Sequence, residues 1–299
     1  MVRNRTMNRF LCSASGLVLL LTGCVHPAEV QLKPEEYRTD LEVLAVEIPD
    51  TAVTTSAVDS LAILPGDQLR FGGSFLVNRV KLDAGPGKVD SFAYSRVLVA
   101  DSAVRFGDRH LGFSGGDLGA VSLNGSLMFK IPHRVVLRRP IVRDTVLVRG
   151  VEYLSNLATA YQPNQLYTWT ALTSAYGRFE ESIRTPDELI VQSPLGGSIV
   201  PRERDLIVRW KGSGGKLSIV ISKFDPGAKK SSPLLEFRSR TNLGKAVIPA
   251  RLLRQLPRTP YYVLTFILSN RKEVEPPMGY SGKILVQAAS VYNSYIELQ

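Results

Sequence analysis

The sequence predicts an all-β protein: two β-sandwich domains behind an N-terminal signal segment and a short tether. Three observations predict it. Apolar residues alternate with polar ones in short runs instead of recurring at helical spacing. Gly, Pro, Asn and Asp interrupt those runs at turn positions. A hydrophobic content of 44% is ample for packed cores. Past residue 24, no apolar run approaches the ~20 residues of a membrane-spanning helix.

Residues 1–23 read as the signal. Arg3, Arg5 and Arg9 give a positive start without an acid, and the apolar stretch Phe10 to Leu21 is short for a membrane span. It ends in Leu21-Thr22-Gly23-Cys24. This ending resembles the lipobox of bacterial lipoproteins. The resemblance covers this segment alone. It implies cleavage before Cys24, a diacylglyceryl group on its sulfur and acylation of the new amine, so that the chain meets a membrane through lipid. Two or more acyl chains anchor stably where one does not. In that family an Asp after the Cys favours the inner membrane. Val25 stands there, which points to the outer membrane of a two-membrane organism.

Residues 24–40 read as the lipidated tether, with Pro27, Pro34 and a polar run at Glu35-Glu36. Residues 41–184 read as the first β-rich domain. Strands are expected over Leu41 to Ile48, Ser60 to Leu64, Gln68 to Phe71, Ser74 to Leu82 and Phe92 to Ala100. The stretch Ala120 to Phe129 is expected to fold back at Asn124-Gly125, the strongest two-residue hairpin signal. Strands follow around Val135 to Val142 and Thr145 to Val148.

Residues 187–299 read as a second sandwich. Leu206, Val208 and Trp210 share one face of an alternating strand, and Gly212 to Gly215 supplies a tight turn into Lys216 to Ser222. Further strands fall at 189–191, 234–237, 246–248, 261–268 and 283–289, with a short helix between Pro249 and Pro257. About seven strands with a Trp on an early inner one are similar to immunoglobulin-like sandwiches. The paired cysteines of that fold are missing. This resemblance concerns architecture and implies no activity.

Composition excludes several chemistries. The only cysteines are Cys12, inside the signal, and Cys24, so the body has no disulfide, no thiol nucleophile and no thiolate metal site. His26, His110 and His133 stand singly, without zinc-helix spacing, and no metal or cofactor is expected. Gly112-Phe113-Ser114-Gly115-Gly116 fits G-x-S-x-G, yet a glycine-rich run follows where a nucleophile elbow needs a helix. Ser213 to Lys216 and Ser269 to Lys272 fit S-x-x-K but lie at a turn and after a strand, where Ser and Lys do not meet across a helical turn. No catalytic residue is assigned.

Binding candidates remain. Tyr153, Tyr161, Tyr167, Trp169 and Tyr176 make the most aromatic stretch. They either stack on sugar or partner from a surface, or pack a core. Arg134, Arg138, Arg139 and Arg143, with Arg149 nearby, form either an anion-binding stripe or a scattered solvated surface. A formal net charge of +10, three of it within the signal, suits an acidic neighbour or simply solubility. Export argues against nucleic acid. The expectation is a lipid-anchored envelope protein, a non-catalytic binding or structural module for an envelope protein or glycan. The alternative is an envelope glycan hydrolase using Glu152, Glu180 and Glu181.

Overall fold

The computed structural model describes residues 41–45, 71–106, 109–137, 145–157, 161–173, 177–227, 230–239, 241–276, 280 and 282–299. Cys24, the signal, the tether and the strands expected at 60–64 and Val142 lie outside them. Residues Tyr37–Gln299 form one compact unit. The fold is all-β, as the alternation demands, with one short helix among the described residues.

In chain order the strands are β1 (Leu41–Ala45), β2 (Gly73–Asp83), β3 (Val89–Phe106), β4 (Arg109–Gly115), β5 (Ala120–Leu123), β6 (Ser126–Leu127), β7 (Phe129–Leu137), β8 (Thr145–Asn156), β9 (Leu166–Thr173) and β10 (Gly177–Arg184). Then come β11 (Ile190–Ser193), β12 (Ile199–Val200), β13 (Leu206–Lys211), β14 (Lys216–Asp225), β15 (Lys230–Ser239) and β16 (Lys245–Ile248). Helix α1 (Ala250–Gln255), β17 (Tyr261–Val274) and β18 (Ile284–Leu298) complete the order. Pro249 caps α1, where its missing N–H costs nothing, and Leu252 and Leu253 are buried.

One long sheet runs β1-β15-β14-β17-β18-β2-β3-β4-β8-β7, with β12 beside β18. Two small sheets complete the sandwiches: β10-β9-β5-β6 and β11-β13-β16. In the first, Phe75, Val97, Val99 and Val286 of the long sheet cluster with Val121, Leu123, Tyr167 and Trp169 of the small one. In the second, Leu206, Val208 and Trp210 are buried in strict alternation on β13, and Leu217, Ile219, Phe266 and Leu268 are buried on the long sheet. The order β11-β13-β16 against β15-β14-β17-β18 is the immunoglobulin-like pattern, A-B-E opposite C-F-G with one strand added beside β14.

The expected divide between 41–184 and 187–299 requires correction. β18 pairs in parallel with β2 from Ile284↔Gly73 to Ser294↔Asp83, and β1 pairs with β15 at the far edge. The two sandwiches therefore share their main sheet. Both faces of its middle strands are buried. Phe75 and Val77 of β2 enter the first core, whereas Val80 packs on the opposite face with Ile267, Ala289 and Val291. This explains the slip in the alternation of β2 and the near-continuous apolar run of β18.

Two turns show how local chemistry positions the strands. Asn124 and Gly125 both take positive φ, 48° and 82°, as a two-residue I′ hairpin requires. The turn at Gly212 to Gly215 is not a hairpin. β13 pairs with β11 and β16, and β14 with β15 and β17, so this turn carries the chain from one sheet to the other.

Candidate functional site

Three charged or titratable side chains meet inside the long sheet where β3, β7 and β8 adjoin. Glu152 of β8 takes two contacts on one oxygen from Arg96, Nε at 2.7 Å and a terminal nitrogen at 2.6 Å. Nδ1 of His133 lies 3.3 Å from the same oxygen. The three are 7%, 3% and 1% exposed in the order Glu152, Arg96 and His133, so their charges are held away from water. Burial opposes ionisation of Glu152. The hydrogen bond with His133 and the Arg96 guanidinium outweigh it and hold the carboxyl below its ordinary value.

The backbone builds this meeting. β7 and β8 pair with a register shift, so that Arg149 and Gly150 together oppose His133. Gly150 has φ 73°, a conformation open to glycine at little cost. Such a bulge re-aims a side chain, here the imidazole.

A cavity of about 360 Å³ lies against these groups, walled by Ile131 and Pro132, with Arg134 also on its lining. Its size falls at the lower end of small-ligand sites. His133 Nε2 is buried with no hydrogen-bond partner among the described residues. The carboxylate beside Nδ1 favours the proton there, which leaves Nε2 as an acceptor unsatisfied among the described residues. Among the described residues the cavity's lining holds Arg96, His133, Arg134 and Glu152 as polar groups.

The aromatic candidates lie elsewhere and differently. Tyr153, Tyr161, Tyr167 and Trp169 are core residues, which corrects the reading of them as a binding surface. Trp169 is fully buried, donates Nε1–H to Ser95 Oγ at 2.9 Å and meets Phe75 edge-on. Tyr153 donates to Asp117 at 2.8 Å and accepts from the Leu118 amide. Tyr161 and Tyr167 stack at 6.3 Å. Burial is what these rings gain on a one-sided sheet. Tyr176 lies outside the described residues.

Of the arginine stripe, Arg134 and Arg149 are exposed, and Arg138, Arg139 and Arg143 lie outside the described residues. The three acids of the hydrolase alternative do not converge. Glu152 belongs to the long sheet, while Glu180 and Glu181 are consecutive on β10 and point to opposite faces. Glu180 pairs with Arg178, and Glu181 with Lys272 at 2.5 Å. Ser114 sits within β4 with no helix after it. Among the described residues no group of three or more His, Cys, Asp or Glu is placed to hold a metal.

The triad was missed because its members are 19 and 56 residues apart and only strand register joins them. A scan against protein-family models finds no match. Curated proteins likewise give none. A crystal structure titled DIP-gamma IG1+IG2 aligns over 77% of this chain and 98% of that one, at 10% identity and a TM-score of 0.19, a likeness too low to carry an argument.

Proposed function

We propose that this chain is a lipid-anchored protein of the cell envelope, held through acyl groups on Cys24, and a non-catalytic binding module for an envelope glycan. In an organism with two membranes, the outer one is its place. The lipobox Leu21-Thr22-Gly23-Cys24 supports the anchor. The observation that carries the binding role is the cavity of about 360 Å³ beside the Arg96–Glu152–His133 group, in which His133 Nε2 has no hydrogen-bond partner among the described residues. Sugar hydroxyls donate to such an acceptor and to the Glu152 carboxylate, and the apolar walls suit a ring face. The immunoglobulin-like second sandwich then serves as a rigid support, not as a reaction centre.

The test has two arms. Metabolic labelling with a fatty acid is expected to mark the wild type and to lose the mark in Cys24→Ser. Recovery of the wild type as an unprocessed cytosolic protein would overturn the anchor. Calorimetric titration with soluble fragments of the envelope glycan is expected to show binding that weakens about tenfold in His133→Gln. Equal affinity in that variant, with its fold intact by circular dichroism, would remove the pocket from the reading. Co-purification of one envelope protein in fixed ratio, without glycan binding, would favour a protein partner.

A further inference from the structure

The outer end of the β7–β8 pair presents apolar side chains to solvent. Farther along β8, Tyr153 is buried in the first core and Val151 packs against it. Nearer the start of β8, Val146 and Val148 are 53% and 58% exposed. Leu147, between them, points the other way and packs with Val135 and Val104. Alternation puts Val146 and Val148 on one face. Arg134 stands directly opposite Val148, so its Cβ lies about 5 Å away on that same face. Arg134 and Arg149 are both exposed. A strand that keeps valines on its wet face departs from the usual polar-out pattern of an antiparallel pair.

The charge at this end has one sign. From Arg134 to Arg149 the sequence holds five arginines and a single acid, Asp144. Arginine beside an aliphatic side chain suits an anionic lipid headgroup layer. The guanidinium meets phosphate with two parallel hydrogen bonds, and the valine methyls enter the apolar edge of the layer. A protein partner asks for more. A stable interface takes about 800 Å² from each side and is built around aromatic and arginine anchors, of which two valines and two arginines supply a small part.

A bilayer to which the chain is already tied needs no such area. Residues 24–40 reach at most about 60 Å even when fully extended. The tether joins the body at β1, at one edge of the long sheet, and β7 lies at the other edge, at most about 43 Å away across the strands. The anchor thus holds the valine face at high local concentration over the membrane, where a weak contact suffices. A tether at one edge alone leaves the body free to swing. A second contact at the opposite edge removes that freedom.

We infer that the face bearing Val146 and Val148, with Arg134 and Arg149 beside it, docks on an anionic lipid surface and so fixes how the tethered body lies. The inference takes its setting from the lipid-anchor reading and does not depend on the glycan cavity.

Vesicle sedimentation of the compact unit, residues 37–299, free of signal and lipid, tests it. Phosphatidylcholine vesicles with about one-third phosphatidylglycerol are expected to bind it, less so as salt is raised, and phosphatidylcholine alone about tenfold more weakly. Arg149→Gln is expected to weaken binding about fivefold. Val146→Thr with Val148→Thr keeps the charge and the branching at Cβ, and is expected to weaken it about fivefold as well. Lys88→Gln, in an exposed turn elsewhere, is expected to bind as the parent does. Each variant is compared with the parent by circular dichroism. Three results overturn the inference. In the first, neither vesicle binds. In the second, the valine pair keeps the parent's affinity, or Lys88→Gln is as weak as Arg149→Gln, and either reduces the effect to diffuse charge. In the third, the unit self-associates through the valines and ignores vesicles, which assigns the face to a second copy. Fatty-acid labelling of Cys24 reads the anchor separately, so failure of the one is distinct from failure of the other.

Discussion

With Arg96 on one side and His133 on the other, Glu152 keeps its charge inside the sheet. Removing one member of such a group leaves the others buried and uncompensated. Glu152→Ala is expected to lower the unfolding free energy by about 3 kcal/mol or more, read by urea denaturation at neutral pH. The same carboxyl carries a pH signature. Its folded value lies below the ordinary 4.5, so the unfolded chain takes up the proton first as acid is added. The stabilisation is complete above 4.5 and is lost as pH falls through the lowered folded value. Subtracting the acid limb of Glu152→Gln from that of the wild type is expected to show this loss. Identical limbs would mean that Glu152 is not charged in the native state. Little of this was legible in the sequence, since single charged residues in strand-like runs read as solvent-facing. The aromatic cluster was more legible than its surface reading implied. Tyr167, Trp169 and Ala171 alternate with Thr168 and Thr170 along β9, the period of one buried face.

At the scale of elements, the match to G-x-S-x-G receives a structural explanation. Gly115 pairs with Gly150, in parallel, where β4 touches β8. A Cβ on Gly115 would overlap the Val151 carbonyl, and one on Gly116 would overlap the Tyr280 ring. Gly115 allows close backbone approach and Gly116 leaves room for the Tyr280 ring. Gly115→Ala is expected to cost about 3 kcal/mol and to loosen the β4–β8 contact, seen as faster amide exchange in both strands. Unchanged exchange would show that the strands can part without penalty. Many strand positions, the Asn124-Gly125 turn and the short helix were legible, because each is written in local periodicity and turn chemistry; β4, β9 and β10 were not among the expected strands. Strand partners were not legible. That β14 lies between β15 and β17 is an order no local pattern states.

At the scale of the molecule, the shared sheet makes the two sandwiches one cooperative body. Scanning calorimetry of the chain is expected to give a single transition over Tyr37–Gln299 with calorimetric and van't Hoff enthalpies in agreement. Two resolved transitions would show that the β2–β18 seam is weak. A fragment of residues 187–299 is expected to associate rather than stay monomeric, because it bares the β18 edge that β2 covers. The two-domain expectation failed here for a physical reason: sequence breaks mark turns, and a turn does not reveal whether the next strand joins an old sheet or begins a new one. The place of β18 has a further consequence. The stretch Ile284–Leu298 follows the other described strands in the chain, yet it is the keystone between β17 and β2. A polypeptide emerging in order from its N-terminus therefore has two half-built sheet portions waiting with open flanks, and joins them only when β18 arrives. Such a chain acquires its shape late and in one step, once both open flanks find their shared neighbour.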